Sequence, residues 1–171
     1  STSEIEGALP KLTGAPGRLE RVDAGQPFTV LVDYAHTPDA VDRVLATART
    51  LSTGKVIAVL GCGGDRDKAK RPMMGASLNA NSDIPIFTSD NPRSEDPQQI
   101  IDEMKAGLQL KGQAEIIVDR KAAIVKAISL AEPADVVIVL GKGHESGQEI
   151  NGVKYPFSDQ EVLREALGGS Q

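Results

Sequence analysis

The sequence is poor in aromatic residues and in cysteine. The first shortage excludes an aromatic core, and the second excludes intrachain disulfides and cysteine-based metal sites. It contains three Phe, two Tyr and no Trp among 171 residues, so its hydrophobic core must be built from aliphatic side chains. The single cysteine, Cys62, excludes an intrachain disulfide and a zinc site made of several cysteines. No histidine adjoins Cys62 in the sequence, so we interpret it as an inert, partly buried thiol. One thiol also suits a reducing compartment, and we expect a soluble, cytoplasmic protein.

A basic surface and long apolar runs are missing as well. The net charge is −5 with acids and bases interspersed, which argues against nucleic acid as the main partner. No apolar run approaches the roughly 20 residues of a membrane-spanning helix, and the first residues do not resemble a signal peptide. Hydrophobic residues still make up 40% of the sequence, which suffices for the core of one domain with a short appendage.

The sequence does contain an alternation of apolar runs with amphipathic segments. Thr37 or Asp39, Lys68, Pro97 and Arg120 mark the expected starts of four helices. Pro85 cannot donate a backbone hydrogen bond, so we expect it to lie near the start of its strand, residues 84–88, or in a strand at the sheet edge. This pattern predicts an α/β, Rossmann-like, doubly wound fold with a mostly parallel sheet of about six strands. The five apolar runs predicted as strands are residues 28–32, 56–60, 84–88, 114–118 and 136–140.

Both ends of the chain depart from this alternation. Residues 1–14 have the apolar spacing of a short helix, so we interpret residues 1–16 as the tail of a preceding domain and 17–171 as the domain itself. Near the other end, Asn151-Gly152 separates two short β-rich segments and predicts a hairpin that adds an antiparallel strand. A final helix is expected after Ser158 or Asp159.

Polar residues of unusual composition follow four of the predicted strands. They occupy residues 33–39, 61–67, 89–93 and 141–145, directly after the apolar runs. The carboxyl ends of parallel strands meet at one edge of a doubly wound sheet, where ligands bind. The sequence therefore predicts one composite site built from four loops.

Two of these loops carry charged groups that could pair with the carboxylate and the ammonium of an amino-acid zwitterion. Asp90-Asn91-Pro92-Arg93 brings an acid, an amide and a guanidinium into one turn, although an Asx-Pro turn alone is common and often purely structural. Gly141-Lys142-Gly143-His144-Glu145 ends in an acid that is a candidate acceptor for an ammonium group. His36 and His144 are each more often structural than catalytic in such a context.

The second loop has two possible interpretations. Gly61–Gly64 can expose backbone N–H groups to an anion, but it can equally be a tight turn, and its spacing matches no nucleotide-binding motif. The basic cluster that follows, Arg66 to Arg71, is by itself most simply a solvated helix face. Arg71 before Pro72 can instead lie at a helix start and grip a carboxylate with two hydrogen bonds.

Together these segments resemble the Mur ligase family, and within it the branch that adds meso-diaminopimelate. The resemblance covers nearly the whole chain from Gly17 onward, and the Asp-Asn-Pro-Arg loop is that branch's signature for diaminopimelate as opposed to lysine. It implies the carboxy-terminal, Rossmann-like domain of a three-domain enzyme. The first domain would bind UDP-MurNAc-L-Ala-D-Glu, and the central one would bind most of ATP and Mg²⁺. The matching segments are Gly17-Arg18-x-Glu20 and residues 32–39, 61–72, 90–93 and 141–145.

The resemblance also implies roles for individual residues. Arg93 would discriminate against lysine, which lacks the second carboxylate of diaminopimelate. Arg18 and Asp33 are similar to the family's ATP contacts, with His36 nearby. No residue is assigned as a metal ligand or proton-transfer catalyst. The residues implied to hold diaminopimelate are Arg71, Asp90, Asn91, Pro92, Arg93, Gly141 and Glu145.

The chemistry implied by the resemblance has two steps. ATP phosphorylates the D-glutamyl γ-carboxylate, and the amine of diaminopimelate then attacks the acyl phosphate, so catalysis is mainly positioning and charge neutralisation. The chain lacks the phosphate loop G-x-x-x-x-G-K followed by Ser or Thr, so we expect it to be inactive alone. Two alternatives are a lysine-adding or folylpolyglutamate-type ligase domain, against which the Asp-Asn-Pro-Arg loop argues, and a non-catalytic ligand-binding module.

Overall fold

The computed structural model describes residues 17–168, in which strands and helices alternate as predicted. The predicted helix over residues 1–14 lies outside the described residues, and the domain boundary stays a prediction. Within the described residues, no helix is long and apolar enough to cross a membrane. The elements are β1 Glu20–Arg21, β2 Thr29–Asp33, α1 Pro38–Thr50, β3 Val56–Cys62, α2 Lys70–Asn81, β4 Ile84–Ser89, α3 Pro97–Lys105, β5 Glu115–Ile116, α4 Arg120–Leu130, β6 Val136–Leu140, β7 Gly147–Ile150, β8 Val153–Pro156 and α5 Asp159–Gly168.

The main sheet has six strands in the order β1-β2-β6-β3-β4-β5. Strands β2 to β6 run parallel, whereas β1 pairs antiparallel with β2. The predicted parallel, doubly wound sheet is therefore confirmed. Strand β6 lies between β2 and β3, so the connection from β2 to β3 crosses over a strand that comes much later in the sequence.

Helices cover the sheet on both faces, and each strand contributes alternate residues to the two faces. In β3, Val56, Ala58 and Leu60 join one buried cluster with helices α1, α2 and α3. Ile57 and Val59 join the other cluster with helices α4 and α5. Because both faces of the central strands are buried, their sequences read as continuous apolar runs instead of alternating polar and apolar residues.

Side-chain caps fix where three helices begin. Of the two cap candidates for α1, Thr37 is the actual one, since its hydroxyl accepts a hydrogen bond from the Ala40 N–H. Asp96 caps α3 ahead of Pro97, and Asp119 caps α4. Each cap satisfies a backbone donor that the helix leaves unpaired. Consequently the loops before these helices end at defined positions, and two of them, those before α1 and α3, contain residues of the predicted site.

Two features differ from the sequence-based expectation. The predicted hairpin forms, but β7 and β8 make a separate two-stranded sheet, and the antiparallel strand of the main sheet is β1, which no sequence pattern indicated. The physical reason is that β7 docks on the loop after β4: the Arg93 N–H donates to the Glu149 carbonyl, and the Asn151 N–H donates to the Arg93 carbonyl. The run at 114–118 shortens to the edge strand Glu115–Ile116.

Candidate functional site

A cavity of about 520 Å³ opens where β2, β3, β4 and β6 end. This is the edge of the sheet at which the sequence predicted a composite site. The loops after all four strands contribute, as the convergence of parallel strands requires. The lining residues are Tyr34, His36, Thr37, Gly61, Cys62, Gly63, Arg66, Asp67, Lys70, Arg71, Met74, Asp90, Asn91, Arg93, Gly141 and Glu145.

The cavity brings together most of the residues that the sequence singled out. Pro92 does not line it, but its carbonyl packs so closely on Gly64 that a Cβ there would come within 1.9 Å of the carbonyl oxygen. His36 lines the cavity, whereas Arg18 and Asp33 are not among the lining residues. Of the seven residues predicted to hold diaminopimelate, six line it: Arg71, Asp90, Asn91, Arg93, Gly141 and Glu145.

The guanidinium of Arg93 is held in position by the protein before any ligand arrives. Its Nη1 donates to the Gly64 carbonyl at 2.8 Å, and its Nε lies 3.3 Å from the Glu149 carboxylate. The Arg93 backbone has φ 51°, a left-handed conformation that its pairing with the hairpin residues 149 and 151 supports. A cation preorganised in this way can bind an incoming carboxylate without losing side-chain entropy at that moment.

Glu145 supplies an anion to the same cavity. Its Oε2 accepts hydrogen bonds from Asn91 Nδ2 at 3.0 Å and from Lys142 Nζ at 3.1 Å. Burial raises the pKa of Glu145, but the hydrogen bonds from Asn91 and Lys142 and the charge of Arg93 outweigh it and hold the pKa below its usual value. Arg93 and Glu145 therefore present opposite charges to one shared cavity, as the sequence predicted.

Asp90 and Gly141 make a close contact beneath the cavity. The Asp90 carboxylate accepts the Asn91 N–H at 2.6 Å, and its other oxygen would lie 2.7 Å from a Cβ at position 141. Gly141 also has φ 109°, which L-residues with a side chain rarely adopt. Burial raises the pKa of Asp90, against the opposing charges of Arg120 and Lys142. Only glycine at 141 lets the two loops approach this closely.

Arg71 lies at the start of α2, the second of the two possibilities that the sequence left open, and is almost fully buried. Its terminal nitrogens already bind protein carboxylates: Nη1 and Nη2 both donate to Glu95, and Nη1 also donates to Glu103 at 2.6 Å. The hydrogen bond from Arg71 holds the pKa of Glu95 well below its usual range. Within residues 17–168, the Nε of Arg71 is the buried side-chain nitrogen or oxygen that has no hydrogen-bond partner. The terminal nitrogens of Arg71 therefore tie the loop after β4 and helix α3 to α2.

Two buried cations beneath the cavity had no role assigned from the sequence. Lys142 is fully buried, and its Nζ contacts Asn91 and Glu145. Arg120 is also buried and pairs with Asp159. The available signal for Lys142 was its place between two glycines directly after the most apolar strand, where a long charged side chain has little access to water. From the sequence, Ser158 and Asp159 are both candidates for the cap of the final helix; Ser158 fills that position, since its hydroxyl accepts from the Glu161 N–H, and Asp159 is left to pair with Arg120.

Of the residues proposed to approach a nucleotide, His36 lines the cavity, whereas Arg18 and Asp33 do not. Both oxygens of the buried Asp33 carboxylate accept backbone hydrogen bonds, from Leu19 at 2.8 Å and from Ala35 at 2.7 Å. Arg18, next to Leu19, is exposed. His36 Nδ1 lies 2.9 Å from the Tyr34 carbonyl oxygen. Asp33 thus fixes the backbone on which Arg18 is mounted.

The remaining reactive groups fit neither a metal site nor a nucleophile. Within the part of the chain that the structure describes, no group of three or more His, Cys, Asp or Glu side chains is arranged to hold a metal ion. Burial, with a smaller contribution from Asp90, raises the pKa of Cys62 to about 12. The thiol is therefore protonated at neutral pH, in agreement with the prediction that it is inert.

The fold and the cavity define a class: a parallel α/β domain whose composite site suits a small ligand that carries both charges. Comparison with known proteins places it more closely. The family model described as "Mur ligase, glutamate ligase domain" matches residues 17–143, so the chain belongs to the Mur ligase family.

Individual relatives agree with this assignment. The chain is 55% identical over 165 residues to the UDP-N-acetylmuramoyl-L-alanyl-D-glutamate–2,6-diaminopimelate ligase of Aquifex aeolicus (strain VF5), covering 96% of this chain and 34% of the relative. It is 53% identical over 163 residues to the protein of that name from Streptomyces coelicolor, covering 92% and 32%. A solved structure of a ligase with this name superposes with a TM-score of 0.87 at 42% identity, covering 98% of this chain and 36% of that one. The chain thus spans about a third of these relatives.

Proposed function

We propose that this chain is the carboxy-terminal domain of an ATP-dependent ligase that joins meso-diaminopimelate to UDP-MurNAc-L-Ala-D-Glu in peptidoglycan synthesis. The observation that carries the proposal is the cavity shared by Arg93 and Glu145, at the end of the Asp-Asn-Pro-Arg loop. The names of the relatives, at 50–55% identity over nearly the whole chain, support the same reaction. A cytoplasmic location follows from the proposal, since ATP is available there.

The distal end of diaminopimelate carries an ammonium and a carboxylate, and the cavity carries a group for each. Arg93 binds the carboxylate with charge-assisted hydrogen bonds, and Glu145 accepts from an ammonium. Asp90 and Gly141 shape the floor, Pro92 holds the loop against Gly64, and Asn91 supplies a further donor. Arg71 lines the cavity and contributes its positive charge. In this arrangement the protein's part in amide formation is to hold the amine near the activated carboxylate and to exclude water.

ATP and Mg²⁺ supply the activation of the carboxylate in this proposal, and the preceding domains hold most of both. This chain contains no phosphate loop, and its described residues form no metal-ligand cluster. Arg18 and Asp33 are the proposed contacts with ATP, supported by the hydrogen bond that ties Asp33 to the residue beside Arg18, and His36 lies at the adjoining rim. The isolated chain is accordingly expected to form no amide bond.

Replacing Arg93 with alanine in the full-length ligase tests the assignment. Loss of a charge-assisted pair, worth about 1.5–3 kcal/mol, raises the KM for diaminopimelate roughly 10- to 100-fold. The KM for ATP stays within about twofold, because Arg93 does not contact the nucleotide. Arg164→Ala, which removes the same charge from an exposed position of α5, serves as the matched control and leaves both constants unchanged. Equal effects of Arg93→Ala on the two substrates would contradict the proposal.

A further inference from the structure

We propose that Lys142 is a positioning residue: it fixes the Asn91 side-chain amide so that its nitrogen, and not its oxygen, faces Glu145 and the ligand. This inference rests on the proposed function, because it assigns a task within the same site. Lys142 touches no substrate in this assignment and acts through the two residues that do.

The contacts of Lys142 connect the two loops that carry the ligand charges. Its Nζ lies 2.9 Å from Asn91 Oδ1, 3.1 Å from Glu145 Oε2 and 3.8 Å from Asp90 Oδ1. The side chain is completely buried. An ammonium group has three N–H donors and no acceptor, and here three oxygens surround it. Asn91 and Asp90 follow β4, whereas Glu145 follows β6, so Lys142 links loops from different strands.

These contacts determine the polarity of the Asn91 amide. Its Oδ1 accepts from Lys142 Nζ and also from the Glu149 N–H at 3.0 Å, which fills both lone pairs of the oxygen. Its Nδ2 donates one hydrogen to Glu145 at 3.0 Å and keeps a second hydrogen. A flipped amide would set N–H groups against the Lys142 ammonium and the Glu149 N–H, and would lose all three bonds. Asn91 can therefore offer a ligand only a donor, which suits a carboxylate.

Lys142 also orients the acceptor for the ligand ammonium. Both the Asn91 and Lys142 hydrogen bonds fall on Oε2 of Glu145, so we assign the ligand ammonium to Oε1. The lowered pKa of Glu145 agrees with a carboxylate that stays charged between these donors. A buried ammonium costs several kcal/mol to desolvate, which an apolar side chain of equal length would avoid. Its presence is explained if the site requires Asn91 and Glu145 in one fixed arrangement.

A double-mutant cycle in the full-length ligase tests this inference. Lys142→Met keeps the length of the side chain and removes its donors and charge. We expect the KM for diaminopimelate to rise roughly 10-fold or more, the loss of a hydrogen bond to a charged group, while the KM for ATP stays within about twofold. In a background that lacks both partners, Asn91→Ala with Glu145→Ala, the same change should add less than about threefold, because Lys142 acts through these two residues. Additive effects, or equal effects on both substrates, would overturn the inference.

A second variant tests which atom of the Asn91 amide faces the ligand, and it remains informative if Lys142→Met does not fold. Asn91→Asp keeps the oxygen that accepts from Lys142 and replaces the donating nitrogen, at nearly equal size. We expect it to raise the KM for diaminopimelate roughly 10-fold or more, whereas an amide that faces the ligand with its oxygen would tolerate the change. Lys121→Met, on an exposed lysine paired with Glu165, is the matched control. If the wild-type enzyme uses another amino acid, the proposed function fails, but the double-mutant cycle and the Asn91→Asp variant can still be measured with that substrate.

Discussion

Arg120 and Asp159 form a buried, two-point ion pair between helices α4 and α5. Arg120 Nε and Nη2 donate to the two oxygens of Asp159, each at 2.8 Å, and neither side chain is exposed. The same guanidinium donates to the Ser89 carbonyl at 3.2 Å and to the Leu140 carbonyl at 3.0 Å. Ser89 ends β4 and Leu140 ends β6, so one arginine couples the two strands from which the main ligand loops begin.

Removal of this arginine should destabilise the domain strongly. Arg120→Met leaves Asp159 as a buried charge without its partner, and we expect the free energy of unfolding to fall by about 3–5 kcal/mol. Urea denaturation followed by circular dichroism measures the change. The double variant Arg120→Met with Asp159→Leu should recover part of the loss, because no uncompensated charge remains. A single variant that loses less than about 1 kcal/mol would show that the pair is not a major contributor.

Alanine substitutions at Gly141 and Gly107 can distinguish two costs: the steric clash with Asp90 and the strain of a positive φ. Both have positive φ, 109° and 74°, but a Cβ at 107 meets no atom within 4 Å. We expect Gly107→Ala to cost about 1 kcal/mol from strain alone. Gly141→Ala should cost roughly 2–3 kcal/mol, because its Cβ also meets the Asp90 carboxylate.

The same pair of variants should differ in ligand binding. Gly141→Ala pushes the loop that carries Glu145 away from Asp90, so it should also raise the KM for diaminopimelate in the full-length ligase. Gly107→Ala, which lies after α3 and outside the cavity, should leave that constant unchanged. Equal unfolding energies and equal KM values for the two variants would contradict the role given to Gly141.

Asp83 should make the stability of the domain depend on pH. Burial raises its pKa, but hydrogen bonds from the Arg49 guanidinium and the Val56 N–H outweigh it and lower the pKa. A lowered pKa in the folded state means that the ionised carboxylate stabilises the fold. This contribution is complete above the unfolded pKa, about 3.9, and is lost as the pH falls through the folded pKa.

Asp83→Asn tests this linkage by urea denaturation at several pH values. At neutral pH the variant should be less stable by about 1 kcal/mol, since the pair with Arg49 is partly exposed and screened. The difference from the wild type should shrink below about pH 4. Asp23→Asn, at an exposed carboxylate 3.7 Å from Arg21, is the control that should show little effect at any pH. A constant difference over the whole pH range would exclude the linkage.

Cys62 should resist alkylation even though it lines the cavity. Its pKa of about 12 leaves very little thiolate at neutral pH. Relative to an exposed cysteine, iodoacetamide should modify it roughly three orders of magnitude more slowly. Mass spectrometry follows the reaction, and the same chain in denaturant provides the reference rate. Rapid modification of the folded protein would mean that the thiol is neither buried nor protonated as described.

The sequence by itself determined the architecture and the location of the site. Continuous apolar runs such as Val136–Leu140 specify strands buried on both faces, and helical spacing between them specifies the crossovers. These are local, periodic signals, and each can be read within a window of a few residues. Once the sheet is parallel, its loops must converge at one edge, so the meeting of Asn91, Arg93 and Glu145 followed from pattern alone.

The tertiary structure decided which of these groups remain available and what supports them. Arg120 and Asp159 are 39 positions apart, and Lys142 and Asn91 are 51 apart, so no sequence window contains either pair. Likewise, only the packing of α2 against α3 reveals that Glu95 and Glu103 engage Arg71. The physical reason is that buried charges are placed by their partners, and those partners are brought close only when the separate crossovers have packed on the sheet.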